Sequence, residues 1–128
     1  MPESRPTNDE DVRVVLVDDD PLLCDTLKLT LELDGYTVWT ATTAAEAMGL
    51  IDRHQPHCVI TDLNMPDVNG IELARRVRAA CDPGMVLIVL TGSGAVADHA
   101  LVEQAGADYV LLKPLDEARL RSMLPPLG

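Results

Sequence analysis

The chain has 128 residues and a mass of 13.8 kDa, enough for one hydrophobic core and too little for two. Apolar residues make up 47% of it and aromatic residues only 2%, with no Phe and one Trp, so the core has to be filled by Val, Leu, Ile, Ala and Met. Its 21 acidic and 10 basic residues leave a net charge of −11, which opposes direct binding to nucleic acid or to an anionic membrane face.

The opening MPESRPTNDED, residues 1–11, is polar and acidic, unlike a signal peptide, and is expected to be a disordered tail. One folded unit is expected over 12–124, with a C-terminal tail or the start of a linker at 125–128. No apolar stretch approaches the roughly 18 residues of a membrane helix, so a soluble, cytoplasmic protein is expected.

The first element is VVLV from Val14, a β-branched run without polar alternation, as in a parallel strand covered on both faces. Asp18, Asp19 and Asp20 follow it. Asp20 then serves as an N-cap, Pro21 takes the first helical position, and Leu23, Leu27 and Leu31 repeat along one face of a helix that stops near Gly35. YTVWT from Tyr36 alternates, as an edge strand with unequal faces does. Thr43 with Glu46 three residues on forms a capping box for a second helix that turns Ala47, Leu50 and Ile51 inward.

CVI from Cys58 is a third strand, ending in Asp62. The next helix runs from about Gly70 to Cys81 with Ile71, Ala74, Val77 and Arg78 at helical spacing, and the DPG at 82–84 ends it. MVLIVL from Met85 is a fourth strand, followed by a helix over roughly Ala95 to Ala105. YVLL from Tyr109 is a fifth strand, and a short helix from about Asp116 to Leu124 is closed by Pro125 and Pro126.

This alternation predicts an α/β fold with a five-stranded parallel sheet and helices on both faces. Right-handed crossovers, with the alternating second strand at an edge, favour the strand order 2-1-3-4-5. In such sheets the functional crevice lies beyond the carboxyl ends of the strands, where the order reverses. Those ends present Asp18, Asp19 and Asp20 on strand one, Asp62 on strand three, Thr91 and Gly92 on strand four, and Lys113 before Pro114 on strand five. Carboxylates meeting at one point repel, and cationic compensation is required. Lys113 supplies one charge. A hard, oxygen-seeking ion such as Mg²⁺, which takes one or two carboxylates together with a phosphate and waters, supplies the rest. A carboxylate beside Mg²⁺, a lysine and a threonine hydroxyl is equipment for attacking a phosphoryl group and stabilising its equatorial oxygens.

Four blocks in order, VLVDDDP at 15–21, TDLNMPDVNG at 61–70, LTGSG at 90–94 and GADYVLLKP at 106–114, make the chain similar to the response-regulator receiver domains of bacterial two-component signalling, of the chemotaxis-regulator kind. The resemblance spans residues 12 to about 124. It implies the doubly wound, flavodoxin-like arrangement and a phosphorylation switch. Asp62 would accept a phosphoryl group from a sensor histidine kinase or a histidine phosphotransfer protein, in a Mg²⁺-dependent reaction that the domain catalyses only on itself. Asp18 and Asp19 would bind Mg²⁺ directly or through water, with Asp62 and the backbone carbonyl of Asn64. Thr91 and Gly92 would border the phosphoryl group, Lys113 would pair with it, and the Lys113–Pro114 bond would be cis. A downstream protein effector would read the change, with no direct contact to nucleic acid or membrane.

Departures from the pattern lie at the switch position. Receivers commonly carry an aromatic three residues before the lysine, where this chain has Val110, with Tyr109 one residue early and Leu115 in place of the usual Phe after the proline. Val110 is too short to swing like a ring, so the loop from Thr91 to Ala95 is expected to carry the signal while Tyr109 stays in place. This keeps open a receiver-like binding module that no longer uses phosphate. A Mg²⁺-dependent phosphatase is a weaker alternative, because such enzymes usually want a second acid two residues after the nucleophile, where Asn64 stands. The sequence reads either as a stand-alone receiver or as an excerpt of a longer regulator, its linker beginning at PPLG.

Cys24, Cys58 and Cys81 lack metal or disulfide spacing and read as free thiols packed as small hydrophobes. GSGAVA at 92–97 satisfies G-x-G-x-x-A, but the next strand end carries Lys113 where a dinucleotide site needs an acid. His54, His57 and His99 are scattered and read as surface or boundary residues.

Overall fold

Parallel strands carry the expected order. The computed structural model describes residues 11–66, 68–92, 100 and 102–127, and among these a five-stranded sheet runs β2-β1-β3-β4-β5 with every pairing parallel. The elements are β1 (Arg13–Val17), α1 (Pro21–Asp34), β2 (Thr37–Ala41), α2 (Ala44–His54), β3 (Cys58–Asp62), α3 (Gly70–Ala80), β4 (Val86–Thr91), β5 (Tyr109–Leu112) and a C-terminal helix, Glu117–Met123. The first eleven residues, apart from Asp11, and most of the helix expected over 95–105 lie outside the described residues, as does His99. Residues 102–104 are helical. Among the described residues no helix is long and apolar enough to cross a membrane.

The central strands are buried on both faces, which is why their sequences do not alternate. Leu16, Ile60, Ile88, Leu90 and Leu111 face α1 and the C-terminal helix, meeting Leu27, Leu31 and Leu120. Val15, Val17, Val59, Leu87 and Val89 face the other layer, meeting Ala47 and Ile51 of α2, Leu73 and Val77 of α3, and Val102. Each fully buried Leu or Ile contributes about 1.5–3 kcal/mol. Thr61 is the exception on β3: it is 1% exposed and its hydroxyl has no hydrogen-bond partner among the described residues.

The caps follow the sequence closely. Asp20 accepts from Leu22 N and Leu23 N, and Gly35 closes α1 at φ 115°, a left-handed conformation that favours glycine. Thr43 Oγ1 accepts from Glu46 N at 3.1 Å, but Glu46 reaches back to the backbone N–H of Thr42, one residue earlier than a standard capping box. α3 differs from expectation in phase. Leu73, Ala74 and Val77 are buried while Ile71 is only half-buried. Arg78 keeps its stem inside by giving its guanidinium four acceptors, the carbonyls of Asp82, Met85 and Gly106 and the carboxylate of Asp108.

At the amino ends of the strands, His57 is more than a boundary residue. Its Nδ1 accepts the backbone N–H of Arg13 at 2.9 Å, joining β1 to the start of β3, and Arg13 Nε donates to the carbonyl of His54. Burial, then the Arg13 guanidinium, hold the His57 imidazole below its ordinary 6.5. His54, stacked on Trp39 with ring centroids 3.8 Å apart, shifts the same way by burial and then by Arg53 and Arg13. Depressed imidazoles bind fewer protons folded than unfolded, so their stabilisation is complete above the unfolded value and drains as pH falls through 6.5 toward the folded value. His57→Asn, whose Oδ1 can take the place of Nδ1, is expected to lose less stability than the wild type between about pH 7 and pH 5.5. Denaturant titrations at the two pH values check this, and identical losses would clear His57 of the effect.

Candidate phosphoryl-acceptor site

Parallel strands all point their carboxyl ends to one edge of the sheet, and the residues just past those ends converge. Asp18 follows β1 with its backbone N–H bonded to the carbonyl of Ala41. Its side chain is buried and held on both oxygens: Oδ1 accepts from Asp20 N at 2.9 Å and Oδ2 from Lys113 Nζ at 3.0 Å. Asp62 ends β3, 3% exposed, with Oδ1 accepting from Asn64 N at 2.9 Å and Oδ2 from Lys113 Nζ at 3.1 Å. Lys113 thus bridges two buried acids. Its backbone N–H is fixed to the carbonyl of Thr91, and the Lys113–Pro114 bond is cis.

Partial burial disfavours the Lys113 charge, but hydrogen bonds to Asp18 and Asp62 and the charges of both acids outweigh it, so its pKa lies above the ordinary amine value. One lysine faces three acids. Carboxylate oxygens of Asp18, Asp19 and Asp62 lie within 4.8 Å of one another, with Asp19 exposed. An all-oxygen set of this kind suits a hard divalent cation, with exposed Asp19 on the solvent side. Asp20, by contrast, is the helix cap. Beneath Asp18 the Cys24 thiol donates to its backbone carbonyl, and burial followed by the nearby Asp18 pushes the thiol up to about 11. Cys24, Cys58 and Cys81 are all free.

The loop after Asp62 is held close. Leu63 N donates to the carbonyl of Leu90 at 2.8 Å, and Gly70 sits so near the backbone of Leu63 that a Cβ there would collide with its carbonyl. Asn64 is exposed, and its Oδ1 accepts from Thr91 Oγ1 at 3.2 Å and from Gly92 N at 3.1 Å. That side-chain role was not read from the sequence, which marked Asn64 for its backbone carbonyl alone. The structure therefore gathers Asp18, Asp19, Asp62, Asn64, Thr91, Gly92 and Lys113 at one edge. The remaining residues of GSGAVA and of the loop to Ala95 lie outside the described residues.

Val110 and Tyr109 are placed apart from this cluster. Val110 pairs in register with Val89 and packs on the face that holds Val102. Tyr109 pairs with Ile88 and is 42% exposed. Neighbouring strand residues point to opposite faces, so the register is the one read from the sequence.

A doubly wound sheet with acids on strands one and three and a lysine after strand five is the frame of a receiver domain. Residues 14–125 match the model of the response regulator receiver domain, and the chain belongs to that family. It is 37% identical over 107 residues to the transcriptional regulatory protein GlrR of Escherichia coli (strain K12), covering 84% of this chain and 24% of that protein. It is 37% identical over 117 residues to the response regulator MprA of Mycobacterium sp. (strain KMS), covering 88% of this chain and 50% of that protein. The chain thus spans between a quarter and a half of these curated relatives. Among solved structures, a CheY-like receiver domain protein of Methanospirillum hungatei JF-1 superposes with a TM-score of 0.81 at 32% identity, over 88% of this chain and 89% of that one. A response regulator of Burkholderia pseudomallei, solved with a phosphorylated aspartic acid, a calcium ion and citrate, superposes with a TM-score of 0.84 at 27% identity, over 90% of this chain and 67% of that one.

Proposed function

We propose that Asp62 is the phosphoacceptor of a Mg²⁺-dependent signalling switch, supplied by a sensor histidine kinase or a histidine phosphotransfer protein. The observation that carries this reading is the Asp62 carboxylate, 3% exposed, held by Lys113 Nζ at 3.1 Å beside the oxygens of Asp18 and Asp19. The Burkholderia relative with its phosphorylated aspartic acid and calcium ion supports it. A carboxylate oxygen of Asp62 attacks phosphorus, the bond to the donor nitrogen breaks, and that nitrogen leaves with the electron pair. Lys113 turns its charge from the carboxylate toward the incoming phosphoryl oxygens, and Thr91 Oγ1 and Gly92 N offer hydrogen bonds to them. Asp18, Asp19, Asp62 and the Asn64 carbonyl would hold Mg²⁺, which when bound would supply the positive charge that lets two anions meet.

The reading covers the chain's own phosphorylation and slow dephosphorylation, with no turnover of another substrate. The net charge of −11 supports a protein effector, rather than nucleic acid, as the partner of this domain. Incubation with Mg²⁺ and acetyl phosphate, followed by intact mass measurement, tests the proposal. One added phosphoryl group, labile to base and hydroxylamine, is the expected result, and a folded protein that gains none overturns it.

Mg²⁺ at ten times its dissociation constant is expected to stabilise the fold by about 1.4 kcal/mol if only the native state binds it. Asp19→Asn removes one repelling charge and one ligand, so it should melt higher without Mg²⁺ and lose the Mg²⁺ response. Thermal melts with and without the ion measure both effects, and an undiminished response would move the metal away from Asp19.

A further inference from the structure

The donors expected to meet a phosphoryl group are already engaged in the resting site, and both of them donate to one side chain. Thr91 Oγ1 at 3.2 Å and Gly92 N at 3.1 Å both donate to Asn64 Oδ1. Two donors on one oxygen fix the amide orientation, with its carbonyl toward the end of β4. Asn64 is held over them by its own backbone, whose N–H is bonded to Asp62 Oδ1 at 2.9 Å, and by the Leu63–Leu90 bond. The carboxamide oxygen thus sits where an oxygen carried by Asp62 has to arrive to use the same two donors.

We propose that the Asn64 side chain is an internal placeholder for a phosphoryl oxygen, a positioning residue that holds Thr91 and Gly92 in the resting state and yields them when Asp62 is modified. The proposal rests on the phosphoacceptor reading of Asp62. Its physical basis is a contest between acceptors. Each hydrogen bond to the carboxamide favours the arrangement in which Thr91 Oγ1 and Gly92 N point at one oxygen position, so an acceptor at this point keeps the cradle assembled before phosphate arrives. A neutral carboxamide is the weaker acceptor, because hydrogen bonds to an anionic oxygen are roughly twice as strong. The phosphoryl group therefore wins the exchange, but against a standing competitor that lowers its affinity.

Asn64→Ala tests the contest without touching the backbone carbonyl or N–H, and the exposed position tolerates the change. The probe is fluoroberyllate with Mg²⁺, which occupies the phosphoryl position on an aspartate. Asn64→Ala is expected to bind it about three- to tenfold more tightly than the wild type, the range for losing one or two competing hydrogen bonds. The Gly92 amide is expected to exchange with solvent faster in resting Asn64→Ala, and at the wild-type rate once fluoroberyllate is bound. In a Thr91→Ala background the gain from Asn64→Ala should shrink, since one of the contested donors is gone. Wild-type binding that is not tightened in Asn64→Ala, or a gain undiminished by Thr91→Ala, overturns the placeholder alone. No binding by either protein overturns the phosphoacceptor reading and the placeholder together.

Discussion

Asp62→Ala is expected to take up no phosphoryl group from acetyl phosphate under conditions that modify the wild type fully. Asp18 and Asp62 are buried and held alike, each by Lys113 Nζ on one oxygen and by the backbone N–H two residues on at the other. What sets Asp62 apart is its place on β3 paired with Leu90, beside the Thr91 and Gly92 donors at the end of β4, while Asp19 is exposed and has no lysine contact among the described residues. Removing a nucleophile that forms the covalent bond removes the reaction rather than slowing it. Mass measurement with a hydroxylamine wash reads the outcome. Phosphate found in Asp62→Ala on a Ser, Thr or His would end the assignment.

Lys113→Met is expected to cost about 2 kcal/mol in the absence of divalent ions. The substitution keeps the apolar stem and removes the charge, leaving Asp18 and Asp62 facing each other with side chains 0% and 4% exposed. Breaking a fully buried ion pair costs about 3–5 kcal/mol. The lysine is 30% exposed, so solvent screening reduces that figure. Mg²⁺ should restore much of the loss, because it brings charge to the same oxygens, and it should stabilise the variant more than the wild type. Urea unfolding with and without Mg²⁺ separates the cases. A loss that Mg²⁺ leaves unchanged would trace to packing of the stem and not to charge.

The sheet was legible because four strands are short unalternating apolar runs, the second alternates as an edge strand does, and several helices carry their own caps. Asp20 with Pro21, Thr43 with Glu46, and Asp116 are local signals, satisfied within a few residues. Asp18, Asp62 and Lys113 were legible for a topological reason, since strand ends converge wherever the order reverses. The phase of α3 was not. Ile71 and Leu73 both fit helical spacing with Ala74 and Val77, and which of them is fully buried is seen only in the packing of α3 against the sheet, which the local pattern does not contain. The side-chain role of Asn64 and the acceptor role of His57 were hidden in the same way. Their partners lie 27, 28 and 44 residues away, and an isolated Asn or His reads as a turn or boundary residue.

α1 and the C-terminal helix, with the segments that flank them, are linked at both edges of the sheet. Near the site the join is Lys113 to Asp18. At the far end Arg121 Nε meets Asp34 at 2.6 Å, Tyr36 donates its hydroxyl to the carbonyl of Pro125 at 2.9 Å, and Leu127 lies against Gly35. Strands of five residues separate those two joins by about 16 Å, too far for any direct contact between them. The pair is therefore built as a pair of tongs, gripped at the acidic edge by a lysine and at the tips by an arginine and a tyrosine.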